Sequence, residues 1–345
     1  MLRTFALLAV ASSAAAQDSA TLVREGSSPQ IAVDSRGAIR MVFGRKDTIF
    51  VVRSTDDGKS FGPATVVAVV PNMHLGNTRG PTIASSRTRT VILAADSRGT
   101  LTTFELDHRK DRWTRHPRPL NDVEGSAPEG LATIAADDAD NFYAVWLDLR
   151  QGRQNNIYFT SVPLAGEKSA PNRQVYASPD GHVCECCRPS IAVSGRRIAI
   201  MFRNWLGGAR DLYLTRSSDG GRSFLAATKL GTGTWKLDAC PMDGGALALD
   251  DKGGVHTVWR RELTVFSATA TGGEVQVADG KSPMMDVRGG RPYLVWQDAS
   301  SIRLRRPGAP DELVGEGRLP QVKALRGGKV LVAWERGGNV YYRVR

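Results

Sequence analysis

The sequence predicts an all-β chain folded as a β-propeller, seven-bladed, with a six-bladed ring carrying one irregular unit as the alternative. Three observations carry this expectation. Helical periodicity is almost absent, and short apolar runs alternate with Gly, Asp, Ser and Arg, the pattern of strands and turns. One unit recurs along the chain: a Pro or Gly, a short apolar strand, a polar turn, a second apolar strand usually ending in Trp, and a third strand. Repeats of about 40 to 50 residues with three or four strands each are the mark of a propeller.

The units run in order. They start at Pro29 (PQIAVDSRGAIRMVF), Pro81 (PTIASSRTRTVILAA), Gly130 (GLATIAADDADNFYAVW), Pro189 (PSIAVSGRRIAIMF), Gly244 (GGALALDDKGGVHTVW), Pro283 (PMMDVRGGRPYLVW) and Pro320 (PQVKALRGGKVLVAW). The last unit ends on its third strand at Arg345, while TLVREG from Thr21 precedes the first unit without a partner. That segment is expected to supply the missing outer strand of the last blade and close the ring. The propeller should occupy 17–345 as one domain.

The opening MLRTFALLAVASSAAAQD has a positive n-region at Arg3, an apolar stretch Phe5 to Val10 and small residues Ala14 to Ala16 before Gln17. This reads as a signal peptide over 1–16, too short for a membrane anchor, and no other segment approaches the roughly 20 apolar residues of a span. The expectation is an exported protein, periplasmic or extracellular and not membrane-spanning, in a compartment where disulfides are allowed. The chain carries 46 Lys+Arg against 35 Asp+Glu, a formal +11. Without Arg3 about +10 remains. The excess is spread along the chain, so it favours anionic ligands generally. Nucleic acid would need a clustered patch or a recognisable module, and neither is present. The sequence is silent on oligomeric state.

Two turns carry a sharper motif. STDDGKSF (Ser54 to Phe61) and SSDGGRSF (Ser217 to Phe224) both read S-x-D-x-G-x-S-F after the third strand of their units. In each, Asp56 or Asp219 is placed to accept turn amides, Gly58 or Gly221 to take a left-handed backbone, and the aromatic to pack beneath the turn. Here the chain resembles the sialidase-like superfamily of Asp-box, or BNR-repeat, propellers. The resemblance implies that these turns are structural and lie on the face away from the ligand.

Propeller geometry then places the chemistry. The residues before each first strand and after each second strand should ring one central mouth. The approaches to the first strands bring Arg79, Glu129, Arg188, Asp243, Lys281 and Arg318; the ends of the second strands bring Arg45, Asp148, Arg150, Arg203, Arg260, Glu262, Asp298 and Glu335. Several guanidinium forks on one rim could grip a carboxylate or phosphate. Arg79, Glu129, Asp148, Arg150, Arg188, Arg203, Asp243 and Arg260 are the candidate ligand residues, and Trp146, Trp259, Trp296 and Trp334 are read as packing between blades. The catalytic members of the family imply an arginine triad, a Tyr–Glu pair and an Asp acid/base. TRGP at Arg79 and CRP at Arg188 are loosely similar to the first arginine motif, with Arg203 or Arg260 as further members. No tyrosine stands at a first-strand approach beside a glutamate, so no catalytic residue is assigned.

Three of the four cysteines crowd into GHVCECCRP as Cys184, Cys186 and Cys187, and Cys240 lies just before the next unit. Adjacent units should bring Cys240 close to the cluster. Three readings stay open: two disulfides bracing the mouth, a copper or zinc site with His182 and Met242 nearby, or a redox thiol pair. The leading functional expectation is binding of an anionic carbohydrate or similar small molecule at the mouth, with no cofactor required. An exo-sialidase-type hydrolase and a periplasmic copper or zinc protein are the alternatives.

Overall fold

A computed structural model describes residues 20–150, 152 and 154–345. The expected signal peptide over 1–16 lies outside the described residues. The chain forms seven four-stranded antiparallel sheets. Blade I is Ser27–Val33, Ile39–Arg45, Thr48–Ser54 and Thr65–Val69, in spatial order from the innermost strand outward. Blades II to VI repeat this plan, with innermost strands Thr82–Ser85, Ala132–Ala136, Ser190–Ser194, Ala246–Leu249 and Lys281–Arg288. Blade VII takes Arg318–Ala324, Val330–Arg336 and Asn339–Val344 from the end of the chain and Thr21–Glu25 from its beginning. The ladder pairs Thr21 with Tyr342, Leu22 with Tyr341, Arg24 with Val340 and Glu25 with Asn339. The ring closes as the unpartnered TLVREG segment predicts, and the six-bladed alternative is set aside by the count of seven sheets.

The burial pattern follows from the architecture. Each middle strand has a neighbouring blade on both faces, so it reads as a continuous apolar run rather than an alternation. Phe142–Asp148 is buried at every position, whereas the outermost strand Thr21–Glu25 is largely exposed. Seven apolar clusters occupy the seven junctions between successive blades. Trp146, Trp259, Trp296 and Trp334 are buried in four of these clusters, as their positions at the ends of second strands predict.

The two S-x-D-x-G-x-S-F turns are built as their residue types require. Ser54 Oγ accepts the Gly58 amide at 3.0 Å, and Asp56 accepts the Ser60 amide at 3.0 Å and its hydroxyl at 2.6 Å. Ser217, Asp219, Gly221 and Ser223 repeat the network in blade IV at 2.9, 3.0 and 2.6 Å. Gly58 and Gly221 hold φ of 79° and 80°, left-handed backbone that glycine adopts without a steric penalty. Beyond the turn itself, each box leans on the preceding blade. Phe61 meets Tyr342 edge-on at 4.9 Å, and Phe224 meets Phe159 edge-on at 5.1 Å. The boxes are therefore welds between blades, and they lie between third and fourth strands.

Candidate functional site

The innermost strands of blades I, VI and VII begin alike. Ser28, Ser282 and Leu319 each take positive φ just before a proline, and the strand register shifts there. These bulges turn Pro29, Pro283 and Pro320 inward to the axis. Together with Gln30, Thr78, Arg188, Met242–Gly245, Met284 and Gln321 they line a central mouth of about 520 Å³, open solvent included. Six of the seven blades contribute, and blade III does not.

The structure sorts the predicted rim charges sharply. Arg203 is 1 % exposed and donates to three backbone carbonyls, those of Asp243 at 3.0 Å, Arg210 at 2.6 Å and Arg260 at 2.9 Å. It clamps blades IV and V, is buried, and is not in the lining of the mouth. Asp148 is fully buried and accepts from Ser126, Trp146 and Arg150 at 2.8 to 3.0 Å. Arg150 also pairs with Asp122 at 2.6 Å. These three expected ligand residues are structural, because a buried charge needs its full complement of partners. Asp243 reaches the mouth, but its carboxylate pairs with Arg260 at 3.1 Å and accepts the Ser282 amide at 2.8 Å. Arg79 is held by Glu129 through the carboxylate at 2.9 Å and the carbonyl at 2.6 Å. The arginine triad implied by the sialidase resemblance is not assembled, and none of the tyrosines lines the mouth.

Arg188 stands apart. Among the described residues its side chain makes no hydrogen bond, ion pair or ring contact. The surrounding blades desolvate the guanidinium and lower its pKa to about 10, while the open mouth leaves it some solvent contact. It remains a full cation at neutral pH without a counter-charge. Its backbone is fixed by close packing on Gly244, where a Cβ would stand only 2.0 Å from the Arg188 carbonyl oxygen. The Thr78 hydroxyl, in the same lining, is also unpartnered.

Beside the mouth, the loop before blade IV buries Cys184, Cys186 and Cys187, with Met242 packed against them. The four cysteines are free thiols, and Cys240 is exposed. The disulfide reading therefore finds no S–S bond here. The sulfur that blade V brings onto the cluster is that of Met242. His182 is directed elsewhere, to Glu185 at 3.1 Å and onto the Trp205 ring at 5.6 Å. Hydrogen bonding with Cys186 and then Cys187, and the nearby Arg203 and Arg210 guanidiniums, hold the Cys184 thiol below the usual range. Arg210 was not legible as a partner in the sequence, because the loop over 204–211 folds back through isolated bridges such as Leu206 to Ala209. Gln30 and Gln321 were also missed as mouth residues, although each directly follows a strand-opening proline.

No protein-family model matches the chain, and no curated protein matches it. Solved structures do. The chain is similar to a catalytically inactive virginiamycin B lyase from Staphylococcus aureus with quinupristin, at 13 % identity over 94 % of this chain and 98 % of that one, TM-score 0.58. It is similar to a polysaccharide lyase, an ulvan lyase bound to -[GlcA(1-4)Rha3S]-, at 10 % identity, 93 % and 94 % coverage and TM-score 0.57. A third is the six-bladed Aleuria aurantia lectin with its fucose recognition mode, at 10 % identity, 86 % and 96 % coverage and TM-score 0.53. At these identities the likeness is one of fold. This chain is a seven-bladed β-propeller.

Proposed function

We propose that the protein binds an anionic carbohydrate at its central mouth, with Arg188 gripping the acidic group. The observation that carries this is the lone guanidinium: every other predicted rim arginine is spent on a carboxylate or on carbonyls, and Arg188 is not. A guanidinium fork suits a carboxylate or sulfate. The unpartnered Thr78 hydroxyl and the Gln30 and Gln321 amides offer neutral hydrogen bonds to sugar hydroxyls around it. Propellers of the same overall fold include a lectin and a lyase bound to a uronate- and sulfate-bearing repeat, which supports the ligand class. We place the chain in the sialidase-like Asp-box class on its two S-x-D-x-G-x-S-F turns, and we read it as exported to the periplasm or beyond. Glycoside hydrolysis is not part of the proposal, since among the described residues the mouth lining holds Asp243 as its one carboxylate and no tyrosine.

The test is titration calorimetry with three oligosaccharide probes: one glucuronate-containing, one sulfated and one neutral. Saturable binding of the acidic probes that weakens as salt screens the charge, and that is lost in Arg188→Met, is the expected result. Equal binding of the neutral probe, indifferent to salt and to Arg188→Met, would overturn the proposal.

A further inference from the structure

The loop leading into blade IV gathers three thiols into one dry knot. The sulfurs of Cys184 and Cys186 are 3.7 Å apart, those of Cys184 and Cys187 3.2 Å, and those of Cys186 and Cys187 4.0 Å. Their residues are 0, 6 and 1 % exposed. A disulfide would bring one pair to about 2.05 Å, well inside all three separations. In a thiolate–metal site with metal–sulfur bonds of about 2.3 Å, neighbouring sulfurs lie roughly 3.8 to 4.0 Å apart. The 3.7 and 4.0 Å separations already fall close to that range, and the 3.2 Å pair would open by roughly 0.6 to 0.8 Å on binding.

The surroundings select among metals. Met242 packs on the cluster and adds a thioether. No imidazole or carboxylate joins the three sulfurs, since among the described residues the group that could hold an ion is Cys184, Cys186 and Cys187 alone. An all-sulfur set of thiolates with a thioether is soft and suits copper(I), whereas zinc sites commonly draw on nitrogen or further thiolates. An outer partner is also in place. Arg210 donates from Nη1 to the Cys184 sulfur at 3.1 Å while its Nε holds the Leu237 carbonyl at 3.0 Å. Such contacts orient a metal ligand and offset the negative charge of the thiolates. The Cys184 amide, bonded to the Arg203 carbonyl at 3.0 Å, fixes the first ligand to the end of a blade strand.

We propose that Cys184, Cys186 and Cys187, with Met242 beside them, form a buried copper(I)-binding site. It is distinct from the sugar site at the mouth but shares a wall with it, because Met242 lines the mouth as well. The site stands whether or not the carbohydrate proposal holds.

The experiment uses the full chain, reduced and kept anaerobic, and copper(I) presented in competition with a coloured copper(I) chelator. One copper per chain should leave the chelator. X-ray absorption should show sulfur neighbours only, at about 2.3 Å. Cys186→Ser should lose the metal at least a hundredfold, and Met242→Leu should weaken it about tenfold, a loss of the size that removing one supporting contact brings. Cys240→Ser should bind as the parent does. Circular dichroism of each variant separates lost binding from lost folding, and the absorption spectrum needs no variant at all. Copper left on the chelator, nitrogen or oxygen neighbours in the spectrum, loss on Cys240→Ser equal to that on Cys186→Ser, or a zinc ion that copper(I) does not displace would each overturn the proposal.

Discussion

Arg188→Met should make the ligand-free protein more stable while abolishing its binding. The reasoning starts from burial without compensation. Desolvation brings the Arg188 guanidinium from 12.5 to about 10. At about 1.36 kcal/mol per pH unit this amounts to roughly 3 kcal/mol against the charged form. Solvent reaching the group through the mouth trims the figure to about 1 to 2 kcal/mol. The sign follows from linkage. A cation whose folded pKa lies below its unfolded value destabilises at every pH below the folded value, and the penalty is relieved only as pH rises from about 10 towards 12.5. At pH 7 it is present in full. Methionine keeps much of the side-chain volume and removes the charge. Urea unfolding at pH 7 should therefore show a higher midpoint, with an unfolding free energy larger by about 1 to 2 kcal/mol at unchanged slope. Arg203→Met is the contrast. It strands three buried carbonyls that now receive charge-assisted bonds, each worth about 1.5 to 3 kcal/mol, so a loss of at least about 3 kcal/mol is expected. If Arg188→Met unfolds earlier than the parent by 1 kcal/mol or more, Arg188 has a structural partner and the reasoning is refuted.

Further outcomes follow from the same geometry. Gly221→Ala should cost more than about 2 kcal/mol, because its Cβ would stand 2.5 Å from the Phe159 ring at a φ of 80°; Gly220→Ala, with nothing nearer than 3.7 Å, should cost about 1 kcal/mol, and urea midpoints compare the two. Asp219 is held below the usual carboxylate range first by the Ser223 hydroxyl, then by the Ser223 amide and the Ser217 hydroxyl. Its stabilisation is thus complete above the ordinary carboxylate pKa and is lost as pH falls through the depressed one, so the melting curves of the parent and Asp219→Asn should converge in strong acid. Deleting 20–26 leaves Asn339–Val344 as an open edge strand, and unpaired edges invite association. Scanning calorimetry should show a lower melting temperature and light scattering a concentration-dependent mass; an unchanged monomer would mean that the closing strand is idle.

Much of the fold was legible because propeller blades are local. Each hairpin is specified by apolar runs a few residues apart and by turns such as STDDGKSF, whose hydrogen bonds stay within eight residues. The closing strand was legible too, since a three-stranded last unit and an orphan strand at the start of the chain complete one another. The rim was less so. The repeat pattern puts Arg79, Asp148, Arg150, Arg203 and Arg260 at positions equivalent to those that reach the mouth, and residue type alone does not distinguish an arginine spent on carbonyls from one left free. That difference depends on partners such as Asp122, the Arg210 carbonyl and the Pro241 carbonyl, which come from other turns or other blades.

By itself the sequence determined the all-β repeat, the order of the seven units, their two S-x-D-x-G-x-S-F turns and the gathering of three cysteines before the fourth unit. Only the tertiary structure decided that, of the expected rim arginines, Arg188 is left without a partner, that Met242 rather than Cys240 meets the buried thiols, and that Arg210 turns back to Cys184. The physical reason is range. Strand periodicity and turn chemistry act over a few residues and are written where they act. Charge pairing, desolvation and sulfur contacts are settled between segments tens of residues apart, once the ring has brought them to the same side.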